Sequence, residues 1–393
     1  MKKEYSLCGV IIIIVATAII SALSTGILIM RNYSTDEGYS YSQLMQDENM
    51  QEFIDVYSKI TSDYYENVDK KGLIDSAISG MTSYLGDQYT GLLDEDKTSS
   101  LNESLNPKYD GIGITIKDNY IENVIYDSSA AKAGLKMNDE IISINDVNIE
   151  NMSSDEIKNI IEQNNTNKIN LKVLRNGEIL EFNNLEVTSI DYPNVIYNFV
   201  SSENIAYLKI NLFSNNINKQ LEYALSQLNS YSGIILDLRN NTGGYLEEAY
   251  FCAELFLHKG SIVYYLLEKD DEKKVYKDKT NDNQTVPVVI LVNGNTASAA
   301  EILAAALKDS YGATIVGSQT YGKGKVQHTY TLSSGQMVKY TSSLWYRPNG
   351  TNIDGIGITP DYLVENSVET SENGEMTLID NQYNKAIELL KKN

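Results

Sequence analysis

Histidine and cysteine are almost missing: the 393 residues hold two of each, His258 and His328, Cys8 and Cys252. Cys8 falls inside an apolar N-terminal run, so neither a disulfide framework nor a multi-cysteine or histidine-rich zinc site is available, and no metal or cofactor is expected. Net positive charge is missing too, with 32 Lys plus Arg against 53 Asp plus Glu and a formal charge of −21. Nucleic-acid affinity comes largely from Lys and Arg displacing counterions, so this balance excludes nucleic-acid partners and would repel anionic lipid headgroups. Proline is scarce, five residues, while 42% of the chain is hydrophobic, a globular composition. At roughly 150 residues per domain, the length predicts two or three modules.

No charged residue occurs from Leu7 to Met30. At about 1.5 Å per residue a helix of that length spans the roughly 30 Å of bilayer hydrocarbon, so residues 1–34 read as a cytoplasmic tip and a transmembrane anchor. Lys2 and Lys3 precede the run, whereas Arg31 is soon followed by Asp36 and Glu37, a bias that leaves the bulk of the chain outside a single-pass cell membrane. A cleaved signal peptide is the competing reading, with small residues around Ser21 to Thr25.

Residues 35–105 carry helical spacing: Phe53, Val56, Tyr57 and Ile60, then Ile74, Ile78, Met81 and Leu85. Two roles stay open for this segment, packing on the next domain and forming a homodimer. From 106 to 188 the pattern becomes short apolar runs, Gly111–Ile116, Ile121–Ile125, Glu140–Ile144 and Ile169–Leu174, interrupted by one amphipathic helix, Ser153–Glu162. The order Tyr109-Asp-Gly-Ile-Gly-Ile114, Ser129-Ala-Ala-Lys-Ala-Gly-Leu135, Asp139-Glu-Ile-Ile-Ser-Ile-Asn145 resembles a PDZ domain. The resemblance implies that the loop holding Tyr109, Gly111, Ile112 and Gly113 offers backbone N–H groups to a peptide C-terminal carboxylate. Glycines permit such a nest, and an open strand edge is a template for an added strand.

Beyond 188, strand-like and helix-like stretches alternate: Ile205–Leu212, Leu221–Leu228, Gly233–Leu238, Leu246–Phe256, Val286–Val292, Ala299–Leu307 and Thr314–Val316. This predicts an α/β module over 189–370, followed by a C-terminal helix within 371–393 that docks on the body or across a dimer. Loops at strand ends are where chemistry collects. The first, Asp237-Leu-Arg-Asn-Asn-Thr-Gly-Gly244, pairs glycines before a helix, a source of N–H groups for an anion, although such a pair is also an ordinary turn. The second, Asn293-Gly-Asn-Thr-Ala-Ser-Ala-Ala-Glu301, puts Ser298 where a strand gives way to a helix, a position suited to a nucleophile with the Ala299 N–H beside it, or to a helix cap. The third, Gly317-Ser-Gln-Thr-Tyr-Gly-Lys-Gly-Lys-Val-Gln327, isolates Lys323 between glycines; burial would be needed to make it a neutral base. In a regular strand Lys323, Lys325 and Gln327 share one face, so spacing alone does not choose between the lysines, while His328 points the other way.

Taken together, Leu236-Asp-Leu-Arg-Asn-Asn-Thr-Gly-Gly244, Thr296-Ala-Ser-Ala-Ala-Glu301 and Tyr321-Gly-Lys-Gly-Lys-Val-Gln327 resemble the C-terminal processing peptidases, or tail-specific proteases, over residues 40–390. The resemblance implies a multi-domain α/β protein: membrane helix, helical segment, β-rich PDZ domain and a crotonase/Clp-protease-like α/β serine peptidase domain. It makes Ser298 the nucleophile, Lys323 the general base and Gln327 the group that aligns the lysine, with Gly243, Gly244 and Ala299 supplying oxyanion N–H groups. Protein C-terminal tails are the implied substrates, and Arg175 matches a position that couples peptide binding to activation in some members, or is a solvent-facing hairpin arginine. The sequence departs from many members in having Ala300 for a second serine and Ala206 for glycine. The rival readings are a catalytically silent, membrane-tethered PDZ adaptor and an apolar-ligand-binding protein.

Overall fold

The computed structural model describes residues 41–150, 152–162, 167–228, 230–281, 284–370 and 376–391. The expected anchor, Leu7–Met30, lies outside the described residues, among which no helix is long and apolar enough to cross a membrane. The chain divides into two compact units, Met1–Met81 and Thr82–Asn393. In the first, helices Tyr41–Leu44 and Glu48–Asp63 precede Lys70–Tyr84, which runs into the second unit. Asp47 starts the Glu48–Asp63 helix: its Oδ1 accepts the Met50 N–H at 3.0 Å, satisfying one of the donors a helix start leaves unpaired. Phe53, Val56 and Ile60 recur at helical spacing, and all three are exposed.

The second unit opens with a departure from expectation. Within the stretch expected to be helical to residue 105, Gly91–Leu93 forms a strand antiparallel to Met337–Lys339. Three residues are too few for periodicity to announce.

Strands Ile114–Lys117, Tyr120–Val124, Glu140–Ile144, Lys168–Arg175 and Glu178–Glu186 follow one another across a β-rich module. Ile121, Ile141, Ile144, Ile169 and Val173 alternate into its core, where Ile157 of helix Ser154–Glu162 joins them. The apolar run Gly111–Ile116 is not one strand but breaks at Ile112–Gly113. Gly113 has φ +88°, and a Cβ there would lie 2.0 Å from the Ser128 Cβ, so a larger residue does not fit. The break turns Ile114–Lys117 into the terminal strand of its sheet, while Lys108–Gly111 pairs instead with Thr188–Asp191.

In the α/β module six strands lie in the order Val195–Val200, Ile205–Ile210, Gly233–Asp237, Val288–Val292, Thr314–Gly317, Tyr362–Leu363; the first pair is antiparallel and the rest parallel. Gly233–Asp237 and Val288–Val292 are buried at every residue, as a parallel sheet covered on both faces requires. The pleat sorts their side chains. Ile234, Leu236, Val288 and Ile290 join a core with helices Ile217–Gln227, Leu246–Glu254 and Ala299–Ala306, while Ile235, Val289 and Leu291 pack with Ala386 and Leu390 of helix Asn381–Lys391. That helix therefore docks on its own body. A second sheet joins Gly91–Leu93, Met337–Tyr346, Ile262–Leu267 and Lys273–Lys277, with Lys325–Thr331 also paired to Met337–Tyr346.

Candidate active site

Strands Gly233–Asp237, Val288–Val292 and Thr314–Gly317 are neighbours in register, Asp237 beside Leu291 and Val292 beside Gly317, so their carboxyl ends finish level. The three loops singled out from the sequence leave from those ends and meet there. They are laced together: Ala297 N–H donates to the Asn241 carbonyl oxygen (3.0 Å), the Thr296 hydroxyl to the Leu238 carbonyl oxygen (2.9 Å) and Tyr321 N–H to the Thr296 carbonyl oxygen (3.0 Å).

Ser298 sits at the turn into helix Ala299–Ala306 with φ 55° and ψ −120°, a conformation outside the regions L-residues favour. Such backbone strain costs on the order of 1–3 kcal/mol and persists only where surrounding bonds impose it. Glu301 imposes it. Its side chain is fully buried, and its Oε2 accepts the Ser298 N–H at 2.8 Å while its own N–H donates to the Ser298 carbonyl oxygen at 2.8 Å. The same carboxylate accepts the Thr320 hydroxyl (2.5 Å), Gly322 N–H (2.8 Å) and Lys323 N–H (2.9 Å). One buried carboxylate thus fixes the serine turn and the lysine loop against each other. Burial pushes the Glu301 carboxyl up, against the hydrogen bonds from Thr320, Lys323, Gly322 and Ser298.

Lys323 is half-buried on that loop. Burial, then the positive charge of Lys339, pull its amine below the usual lysine range, and the Glu301 charge pulls the other way. Its backbone carbonyl oxygen accepts the indole N–H of Trp345 (2.9 Å), and Trp345 is the sole tryptophan of the chain. Lys325 lies on the same side, since both ammonium nitrogens approach the Tyr89 ring, at 5.1 and 5.7 Å from its centroid. The two lysines part company in their partners: Lys325 is ion-paired with Asp87 at 3.1 Å, whereas Lys323 makes no ion pair among the described residues.

Gln327 departs from the regular-strand expectation. A bulge between Val326 and Gln327 interrupts the pairing with Met337–Tyr346, and the Gln327 amide donates to the Lys325 carbonyl oxygen at 3.1 Å. Nor does a hydrogen bond join the Gln327 amide or the Lys323 amine to Ser298 among the described residues. His328 is exposed, its ring edge-on to Tyr340.

The glycine pair faces the serine. Gly243 has φ +104°, and a Cβ there would come within 2.8 Å of the Ser298 Cβ. Its N–H is already engaged, donating to Asn241 Oδ1 at 2.9 Å, so of the three expected oxyanion donors Gly243 is the one with no free N–H. The N–H groups of Gly244 and Ala299 donate to no acceptor among the described residues. The loop is anchored at its start by Asp237, 1% exposed, which accepts the Tyr207 hydroxyl (2.8 Å) and the Arg239 guanidinium (2.6 Å). Arg239 also donates to Asp380 at 2.8 Å, joining the loop to the C-terminal helix.

In the β-rich module the expected peptide-contacting residues occupy one corner. The Tyr109 ring lies against Gly111 and edge-on to Tyr192, Ile112 is buried in the core, and the N–H groups of Ile112 and Gly113 donate to no backbone carbonyl among the described residues. Arg175 stands apart from them and is not solvent-facing: its guanidinium grips Asp139, itself 1% exposed, with two bonds of 2.6 Å and donates to the Gly134 carbonyl oxygen at 2.9 Å.

Sequence reasoning assigned no part to Glu301, Asp87, Tyr89 or Lys339. For Glu301 a signal existed, because Ser298-Ala-Ala-Glu301 has the spacing of a capping box. The others reach the site through the second sheet, whose pairing no local pattern reveals.

Comparison with known proteins gives three family matches: Peptidase family S41 over residues 204–364, PDZ domain over 98–174, and Activating protease CtpB N-terminal domain over 26–97. The chain is 32% identical over 374 residues to the carboxy-terminal processing protease CtpA of Bacillus subtilis (strain 168), covering 93% of this chain and 78% of that protein. It is likewise 32% identical over 356 residues to the carboxy-terminal-processing protease of Bartonella bacilliformis, covering 87% and 80%. Staphylococcal relatives are longer, and the chain spans 62% and 65% of two of them. Among solved structures, a photosystem II D1 C-terminal processing protease is similar over 82% of this chain and 88% of that chain, at 22% identity and TM-score 0.49.

Proposed function

Because the chain belongs to the carboxy-terminal processing proteases, serine endopeptidases of family S41 with a PDZ domain, we propose that it cuts peptide bonds with Ser298 as nucleophile and Lys323 as base. The observation that carries this reading is the Glu301 clamp, which ties the strained Ser298 turn to the loop of Lys323, a half-buried lysine that, unlike its neighbour Lys325, makes no ion pair among the described residues. Neutral Lys323 takes the Ser298 hydroxyl proton as Oγ attacks the substrate carbonyl carbon. The tetrahedral oxyanion accepts hydrogen bonds from the N–H groups of Gly244 and Ala299, in preference to the engaged N–H of Gly243. Collapse breaks the C–N bond, Lys323 returns the proton to the leaving amine, and an acyl-enzyme remains. Water, deprotonated by Lys323, then releases the acid and restores Ser298. Gln327 aligns the Lys323 amine once its side chain turns from the Lys325 carbonyl oxygen.

Substrate enters by its C-terminus. The free edge of Ile114–Lys117 and the unengaged N–H groups at Ile112 and Gly113 support capture of a carboxylate-ended strand, with apolar terminal residues preferred. The N-terminal apolar run would hold the enzyme on the outer side of the cell membrane.

The test is hydrolysis of an unstructured protein with an apolar C-terminus by the full-length chain, Ser298→Ala and Lys323→Ala. Both variants are expected folded and slower by about 10³-fold or more. Full activity in either sinks the dyad, and inactive wild type that still binds the tail favours a silent adaptor.

A further inference from the structure

The strand Gly91–Leu93, paired to Met337–Lys339, brings the turn Asp87–Thr90 to the lysine loop. Asp87 nails that turn down. Its carboxylate accepts the hydroxyls of Thr90 (2.7 Å) and Thr341 (2.5 Å) and the Lys325 ammonium (3.1 Å), and Thr341 N–H donates to the Thr90 hydroxyl oxygen (3.1 Å). From this footing the Tyr89 ring covers both lysine nitrogens, and beside it stands Tyr321, whose own N–H is bound to the serine loop at Thr296.

We propose that Tyr89 is a positioning residue for the Lys323 amine, and that Asp87, by pairing with Lys325, keeps the neighbouring lysine from taking its place. The proposal rests on Lys323 being the base. An aromatic face within about 6 Å attracts an ammonium electrostatically while keeping water off it. The first action favours the charged amine, and the second favours the neutral one. Tyr89 therefore seats the amine and sets how readily it gives up its proton. The charged and titratable groups facing this pair are Asp87, Lys325, Tyr321, Lys339 on Met337–Tyr346, Glu301 on the helix and Asp354 beside Gly324.

The ring and the hydroxyl are separable. Tyr89→Phe keeps the aromatic face, whereas Tyr89→Leu keeps apolar bulk without it, and Tyr89→Met is a second variant of the same kind should Leu fold poorly. The full-length proteins are compared by kcat and KM against pH on the unstructured substrate. Trace acetylation of the Lys323 amine, read by mass spectrometry across pH, follows its proton without catalysis. Tyr89→Phe is expected to match wild type within about twofold. In Tyr89→Leu and Tyr89→Met the rising limb of kcat and the onset of acetylation move to lower pH, and plateau kcat falls about tenfold with KM unchanged. An unshifted limb in both apolar variants, or a Phe variant as impaired as they are, overturns the proposal. Lys323→Ala runs alongside: if it retains activity, the base assignment fails and this proposal with it; if it is silent while the Tyr89 profiles stay put, only the role of Tyr89 fails.

Discussion

The serine turn and the lysine loop share a clamp but are finished to different degrees. Around Ser298 the backbone is held in a conformation it would not choose alone, by a fully buried carboxylate and by bonds to the Asp237–Gly244 loop. On the lysine side the backbone is equally well fixed, through Glu301, Trp345 and Asp354, yet the side chains have not closed on the serine: the Lys323 amine, seated under Tyr89, makes no hydrogen bond to Ser298 among the described residues, and Gln327 is engaged on a neighbouring carbonyl. The proposed nucleophile is preset, and the proposed base is adjustable. A protease built this way can be controlled by rotamers on one loop, without remaking the strained turn, which is the costlier part to rebuild.

The largest effect should come from destroying what the two sides share. Glu301→Ala leaves buried donors from Ser298, Gly322, Lys323 and Thr320 without their acceptor, at about 1–3 kcal/mol each, so a fall in denaturation midpoint and near-complete loss of cleavage are expected together. A variant of wild-type stability would refute the clamp.

Next comes Gln327→Ala, which touches only the adjustable side. Among the described residues its amide holds nothing but the Lys325 carbonyl oxygen, so the fold should stand while kcat drops by about 10²-fold. Unchanged turnover would make Gln327 a strand residue and no more.

Lys339→Met removes a positive charge that disfavours the Lys323 ammonium, so the rising limb of the pH–rate profile should move to higher pH, opposite in sign to the shift expected of Tyr89→Leu. A limb that does not move would mean Lys339 is too well screened to matter.

The smallest effect is read in stability. Burial works against ionisation of Asp87, but hydrogen bonds from Thr341, Thr90 and Lys325 outweigh it and hold its pKa down at about 2. A depressed carboxyl contributes stability that is present above its unfolded value and lost as pH falls from about 4 to about 2. Wild type and Asp87→Asn should therefore differ in urea midpoint at neutral pH and converge toward pH 2; a constant gap would deny the linkage.

What the sequence disclosed follows from which interactions are local. The parallel strands and their helices were legible because each apolar run is short, self-contained and bounded by turns: Gly233–Asp237, Val288–Val292 and helix Ala299–Ala306 fall within one or two residues of expectation. Ser298 and Lys323 were legible through motif order. The bulge before Gln327 was not, because it arises from pairing with Met337–Tyr346, and a strand's period says nothing of its partner's register. Asp87 lies 238 positions from Lys325, a separation over which only folding brings chemistry together. Arg175 shows a different limit: the hairpin was evident, but the buried Asp139 that turns its arginine inward was not.

Trp345, the single tryptophan, donates its indole N–H to the carbonyl oxygen of Lys323 itself. Tryptophan emission, excited selectively over that of the 29 tyrosines, therefore issues from one buried ring bonded to the candidate base, and an engagement of that loop by substrate would register as a change in that emission without any label.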